Sequence, residues 1–567
     1  MTDQGLVEAV RRTRELVEQD RDTHLPALAG SLNSYGGYLA AAGRRTEAAE
    51  ASEEAVRLFG ELAGQDRDTY LPDLAASLSN QAALLGQIGR RAEAVEVSQQ
   101  AVELYGELAE LNRDAYLPNL ATSLNNHALR EAEVGRRAEA VEVSQQAVAL
   151  RSQLAELNSD AYLPDLAASL SNQAALLGQI GRRAEAVEVS QQAVELYGEL
   201  AELNRDAYLP NLATSLNNHA LQLAEVGRRA EAVEVSQQAV ALRSQLAELN
   251  RDAYLPDLAA SLNNHATRSA EVGRRAEAVE VSQRAVELYG ELAELNRDAY
   301  LPNLASALNN HAALLAEVGR RAEAVEVSQQ AVALRSQLAE LNRDAYLPDL
   351  AASLNNHANR VAEMGRRAEA VQLSQRAVEL YGELAELNRD AYLPNLASAL
   401  NNHANWLAEV GRRAEAVEVS QQAVALRSQL AELNRDAYLP DLAASLNNHA
   451  SRLAETGRQV EAVQISGLAV QLYRELIALS RDVYLPDYVR SLAVQGSTLS
   501  RAQRYGEAVV PLTEALTVGQ ELPEYARRIL EGVVALLREA YRASPKDVDR
   551  AFERLTGQDL SSWITKR

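Results

Sequence analysis

The sequence predicts an all-α solenoid of about eleven stacked helical hairpins with a C-terminal helical cap. Three observations predict it. A Gly-Arg-Arg step recurs every 46 residues, at Gly43, Gly89, Gly135, Gly181, Gly227, Gly273, Gly319, Gly365 and Gly411, and Gly457-Arg458 keeps the register. Between these steps the apolar residues fall at helical spacing. The register is unbroken from Pro26 to about residue 520, so the 567 residues read as one array and not as the three or four domains their length alone would suggest.

The first element, residues 1–25, reads as a partial repeat. Val7 to Asp20 matches the second half of a second helix, and Asp20-Arg21-Asp22-Thr23-His24-Leu25-Pro26 already forms the junction found between later units. An array opening on half a unit is expected to descend from a longer one.

Residues 26–522 carry the eleven repeats. In the unit around Pro118, Tyr116-Leu117-Pro118-Asn119 is expected to start helix A, because proline fits a first helical turn where no amide bond is lost. Leu120, Leu124 and Ala128 follow at helical spacing, and Gly135 stops the helix. From Ala138 to about Leu157 a second helix, B, sets Ala140, Val143, Ala147, Leu150, Leu154 and Leu157 on one stripe. Asn158-Ser159-Asp160 then breaks the pattern. Ala128, Ala140 and Ala147 mark where the helices cross, since alanine lets helix axes approach closely. Residues 523–567 close the array: Pro523 is expected to open a divergent helix, and Pro545 to Arg567 to form one or two short ones.

The pattern L-N-N-H-A, G-R-R-A-E-A and A-V resembles the tetratricopeptide repeat, with its small residue in helix A, turn glycine and two alanines seven apart in helix B. The 46-residue unit and the Leu-Asn-Asn run resemble its longer form in kinesin light chain. The resemblance implies a right-handed α-solenoid superhelix whose concave surface is lined by helix A. Histidine or glutamine stands where that family has leucine, and the family's large helix B aromatics are absent, which leads us to expect a core of Ala, Val and Leu.

Composition narrows the function. With 79 acidic against 56 basic side chains the net charge is −23, unsuited to a phosphate backbone, so nucleic acid is not an expected partner. The absence of cysteine removes disulfides, thiolate metal sites and cysteine nucleophiles. No signal-type apolar core opens the chain and no run of 18 apolar residues occurs, so a soluble, cytoplasmic protein without membrane contact is expected. The almost exclusive use of arginine over lysine suggests a GC-rich bacterial source. No nucleotide-binding loop, zinc-hydrolase motif, nucleophile elbow or dinucleotide fingerprint is present, and a non-enzymatic protein without cofactor follows.

Turning 100° per residue along helix A puts Leu120, Leu124, His127 and Glu131 on one side and Thr122, Asn126, Leu129 and Glu133 on the other. By the family resemblance the second side lines the groove, where it builds a ladder of Asn80, Asn126, Asn172, Asn218, Asn264, Asn310, Asn356, Asn402 and Asn448. An asparagine amide offers a donor and an acceptor to an extended peptide backbone, and several relatives hold a peptide this way. The same asparagines could instead tie adjacent A helices together or face water. Near-identical copies disagree six to four residues before the turn glycine, where Arg130, Arg268, Asn359, Arg360, Asn405, Trp406 and Arg452 stand as candidates for partner specificity, with drift on a tolerant surface as the alternative. The histidines His127, His219, His265, His311, His357, His403 and His449 lie on the packed side, one hairpin apart, too far to share a metal ion. Three functions are weighed: a scaffold that binds a protein or peptide segment; the recognition arm of a bacterial signalling or defence assembly with a separate NTPase or protease, which the resemblance to kinesin-light-chain-like arrays implies; and a self-associating array.

Overall fold

The computed structural model describes residues 3–522 and 526–560, and among them every regular element is helical. Helix Asp3–Gln19 is followed by eleven A–B hairpins. Repeat 3 comprises helix A, Arg113–Glu133, and helix B, Arg137–Leu157, and its neighbours follow at 46-residue intervals, ending in repeat 11 with Arg481–Arg501 and Tyr505–Val518. The chain divides into two compact units, residues 1–222 and 223–567.

The A-to-B turn is local chemistry. The Gly135 N–H reaches the Ala132 carbonyl and the Arg136 N–H reaches that of Glu131, both at 3.0 Å, the paired bonds of a helix ending on a left-handed residue. The ten turn glycines from Gly43 to Gly457 accordingly hold φ between +77° and +88°. Repeat 11 puts Gln503 at this position, with φ +59°.

Proline does not start helix A. The helix begins at Arg113, five residues earlier, and Pro118 lies inside it. Its start is set by Asn112, whose side chain accepts the Ala115 N–H at 3.2 Å, as Asp20, Asp66, Asn158 and their counterparts do in other repeats. That residue is also the C-cap of the preceding helix B, so one extended residue joins each hairpin to the next. The Asn-Arg-Asp run is thus a helix start as well as a stop, and the first repeat opens at Arg21, before Pro26. The expected helix start at Pro523 lies outside the described residues. Helices Arg528–Ala543 and Pro545–Thr556 follow, and their Val533, Leu537, Val548 and Phe552 pack with Leu512 and Leu516 of repeat 11, covering the last hairpin.

Ala128, Ala140 and Ala147 are buried at the crossings, as the small-residue pattern requires. The stripe of helix B departs from expectation at two places. Leu157 is 78% exposed, because it lies roughly 100° around the helix from Ala140. The core also holds more than Ala, Val and Leu: Tyr105, Tyr197, Tyr289 and Tyr381 are buried in helix B, alternating with buried Arg151, Arg243, Arg335 and Arg427.

Candidate functional site

Within each unit, helix A of one repeat touches helix A of the next, through repeats 2 to 4 and again through repeats 6 to 11, whereas successive B helices make no comparable contact. A row whose A helices stand closer together than its B helices curves with the A face inward. The candidate site is therefore the A face, and the asparagine ladder is on it: Asn80, Asn126, Asn218, Asn264, Asn310 and Asn356 are exposed, and Asn172, Asn402 and Asn448 half-buried.

The ladder splits in two. Asn172, Asn310 and Asn402 donate to the side-chain carbonyls of Asn125, Asn263 and Asn355 on the preceding helix A, at 3.1–3.2 Å. These tie helices together. Among the described residues Asn80, Asn126, Asn218, Asn264, Asn356 and Asn448 have no hydrogen-bond partner, so their amides remain available. In other pairs the preceding asparagine makes a different link that sequence reading missed, to a serine of the next helix A: Asn309 to Ser353 and Asn401 to Ser445, both at 2.6 Å.

Recesses open between successive A helices. One of about 250 Å³ is lined by Asn80, Tyr105, Asn119, Thr122 and Asn126. Four repeats on, one of about 370 Å³ repeats the arrangement with Asn264, Tyr289, Asn303 and Ser306, and adds Arg335 and Asp349. The floors follow a rule. Where helix B carries tyrosine, the residue after Leu-Pro fourteen positions on is asparagine, and Asn119, Asn211, Asn303 and Asn395 face Tyr105, Tyr197, Tyr289 and Tyr381, partly offsetting the rise that burial imposes on each phenol. Where helix B carries arginine, that residue is aspartate, and Arg243 and Arg427 reach Asp257 and Asp441 at 2.7 Å. Arg335 bridges Asp349 of the next repeat and Ser306 of its own. Helix B thus ends alternately as Glu-Leu-Tyr, from Glu103, Glu195, Glu287 and Glu379, and as Ala-Leu-Arg, from Ala149, Ala241, Ala333 and Ala425, a 92-residue superperiod that alternates two matched buried pairs, since a guanidinium taken from water requires an acceptor. Repeat 10 breaks the rule with Tyr473 against Asp487, and burial together with that carboxylate pushes the phenol up.

The variable triplets divide by depth. Their third residue is core, as in Leu177, Val361 and Leu407. The second packs between A helices: Arg130, Arg268, Arg360 and Arg452 are half-buried and pair with Glu133, Glu271, Glu363 and Glu455 one turn on, at 2.6–3.0 Å. Arg452 also donates to Asn405 at 2.8 Å. Trp406 packs against Val325 and Val361 on one side and Val371 and Ala416 on the other, and its indole N–H finds no acceptor. Asn359 is half-buried beside Arg360. Thr267 lines a charged recess of about 590 Å³ with Arg229, Glu271, Arg275 and Glu317.

The seven histidines are buried, each with Nδ1 at 2.7–2.9 Å from a serine Oγ of the preceding helix B, from Ser98–His127 to Ser420–His449. Among the described residues no group of three His, Cys, Asp or Glu side chains could hold a metal ion, and no helix is long and apolar enough to cross a membrane.

Comparison with known proteins follows the same geometry. The tetratricopeptide repeat model matches residues 350–388 and 396–434, which span the hairpins of repeats 8 and 9, and the neighbouring repeats carry the same residues in register. Residues 350–388 and 396–434 are two tetratricopeptide repeats within this array of like hairpins. No protein with a curated description matches it. Similar solved structures include yeast Tom70, 15% identical over 95% of this chain and 99% of that one, with a TM-score of 0.39. The nearly identical kinesin-light-chain TPR-like repeats of Podosopora anserina are 27% identical over 40% and 98%, with a TM-score of 0.32. BtubC from P. vanneervenii is 16% identical over 42% and 89%, with a TM-score of 0.35. The tetratricopeptide array is a protein-interaction scaffold.

Proposed function

We propose that this scaffold is non-enzymatic and holds an extended peptide or protein segment along the A face. One observation carries the reading: in the second unit Asn264, Asn356 and Asn448 present unengaged amides at one register position of alternate A helices, beside a recess walled by polar side chains. An extended backbone needs regularly spaced donors and acceptors, and these supply both. The variable triplets stand further along the same helices, and Arg130, Arg268, Asn359, Arg360, Asn405, Trp406 and Arg452 provide what differs between repeats and so distinguishes partners. Net charge of −23 disfavours nucleic acid, which leaves protein as the partner class.

The test uses a peptide selected from a displayed library against the full chain. Replacing Asn264, Asn356 and Asn448 with alanine removes three amides at about 0.5–1.5 kcal/mol each, so affinity should fall at least about tenfold with the melting temperature unchanged. Replacing the tied Asn310 and Asn402 should leave affinity nearly intact. Equal loss from both sets would place the ligand elsewhere.

A further inference from the structure

The leucine closing each helix B points outward. In the second unit Leu249, Leu295, Leu341, Leu387, Leu433 and Leu479 are 72–78% exposed, one at every tip where helix B hands over to the next helix A. Burial does not demand leucine there, because Gln19 and Gln65 occupy the same register position in front of the series. A regular row of exposed large apolar side chains marks an interaction surface.

Charge flanks the row on both sides. Glu294, Glu340, Glu386 and Glu432 immediately precede the leucines, are exposed, and make no ion pair among the described residues. Two residues beyond the leucines, Arg297 and Arg389 bond the neutral amides of Gln337 and Gln429, whereas Arg251, Arg343, Arg435 and Arg481 pair with Glu291, Glu383, Glu475 and Glu521. The alternate tips at Leu295 and Leu387 thus offer carboxylate, leucine and guanidinium in that order.

We infer that this leucine ridge is an interface between two copies of the chain. A row of apolar groups at a fixed pitch is matched over several repeats only by a surface of equal pitch, which a second copy supplies by construction. In a two-fold contact residue i meets j and j meets i, so Arg297 and Arg389 of each copy can lie against the carboxylate row of the other, with the leucines between. Net charge of −23 opposes the contact at long range, so the dimer strengthens with added salt until the local ion pairs are screened.

Sedimentation equilibrium of the full chain over a wide concentration range tests this. The wild type should approach twice the chain mass of 61.6 kDa, and Leu295→Gln with Leu341→Gln and Leu387→Gln should give the single-chain mass with unchanged circular dichroism. Glu386→Arg should raise the dissociation constant roughly tenfold, and adding Arg389→Glu should restore it, since the swapped charges match again only between identical copies. A wild type that stays single at every concentration, a dimer indifferent to the glutamine substitutions, or a charge swap without recovery would overturn the inference.

Discussion

Ser328 Oγ lies 2.8 Å from Nδ1 of His357 and 3.0 Å from the Val325 carbonyl of its own helix. The hydroxyl has one proton, which goes to the carbonyl, so the imidazole donates from Nδ1 and is held as that neutral tautomer. The bond crosses from helix B of repeat 7 to helix A of repeat 8, and six further pairs repeat it. Where glutamine replaces histidine the link is lost: Ser52, opposite Gln81, has a buried hydroxyl without a partner.

Acid should loosen the array. Burial pushes His127, His265, His311, His357, His403 and His449 below the ordinary histidine range, with Glu131, Glu277 and Glu369 only partly offsetting it at the first, second and fourth. The unfolded chain therefore takes up protons first as pH falls through about 6.5, and folded stability declines from there toward the depressed folded values. Melting followed by circular dichroism should give a lower midpoint at pH 5.5 than at 7.5. His311→Gln should lessen the difference, because glutamine already occupies this site at Gln81 and Gln173.

The turns give opposite signs for two substitutions at one register position. Gly365 holds φ +80°, and a Cβ there would meet nothing within 4 Å, so Gly365→Ala isolates the backbone cost, about 1–2 kcal/mol. Gln503 already bears that cost at φ +59°, and Gln503→Gly should stabilise repeat 11 by about 1 kcal/mol. Urea midpoints of the two variants should move apart.

The alternation on the recess floors predicts coupling. Arg335→Tyr leaves Asp349 and Ser306 without their partner and should cost about 1–3 kcal/mol. Adding Asp349→Asn recreates the Tyr289–Asn303 pair and should recover at least half of the loss. A double-mutant cycle in urea measures the coupling, and additive costs would show that the two pairings are not matched units.

Much of this was legible in the sequence. The period, the turn glycines, helix B, the buried alanines and histidines and the outward asparagines all follow from spacing, because each depends on contacts within one repeat or its neighbour. The start of helix A was misread because Pro118 obscured the stronger signal six residues earlier, the capping asparagine. The buried Tyr105 and Arg151 were missed because one unit was read by hydrophobicity, which places arginine outside. Comparing alternate copies showed the Glu-Leu-Tyr and Ala-Leu-Arg endings, and their link to Leu-Pro-Asn and Leu-Pro-Asp fourteen residues on was available to the same comparison. The division of the ladder in the second unit was missed, although the tied Asn310 and Asn402 follow Ala307 and Ala399 where the free Asn356 and Asn448 follow Ser353 and Ser445, serines that take the amides of Asn309 and Asn401.

The face of the array that meets its ligand is the central claim, and photo-cross-linking tests it most directly. A benzophenone amino acid placed at Asn264 on helix A, or at the exposed Glu280 on helix B of the same repeat, reports which side a selected peptide occupies. Cross-linking from position 264 and none from 280 is the expected result, and efficient capture from 280 with none from 264 would contradict the account.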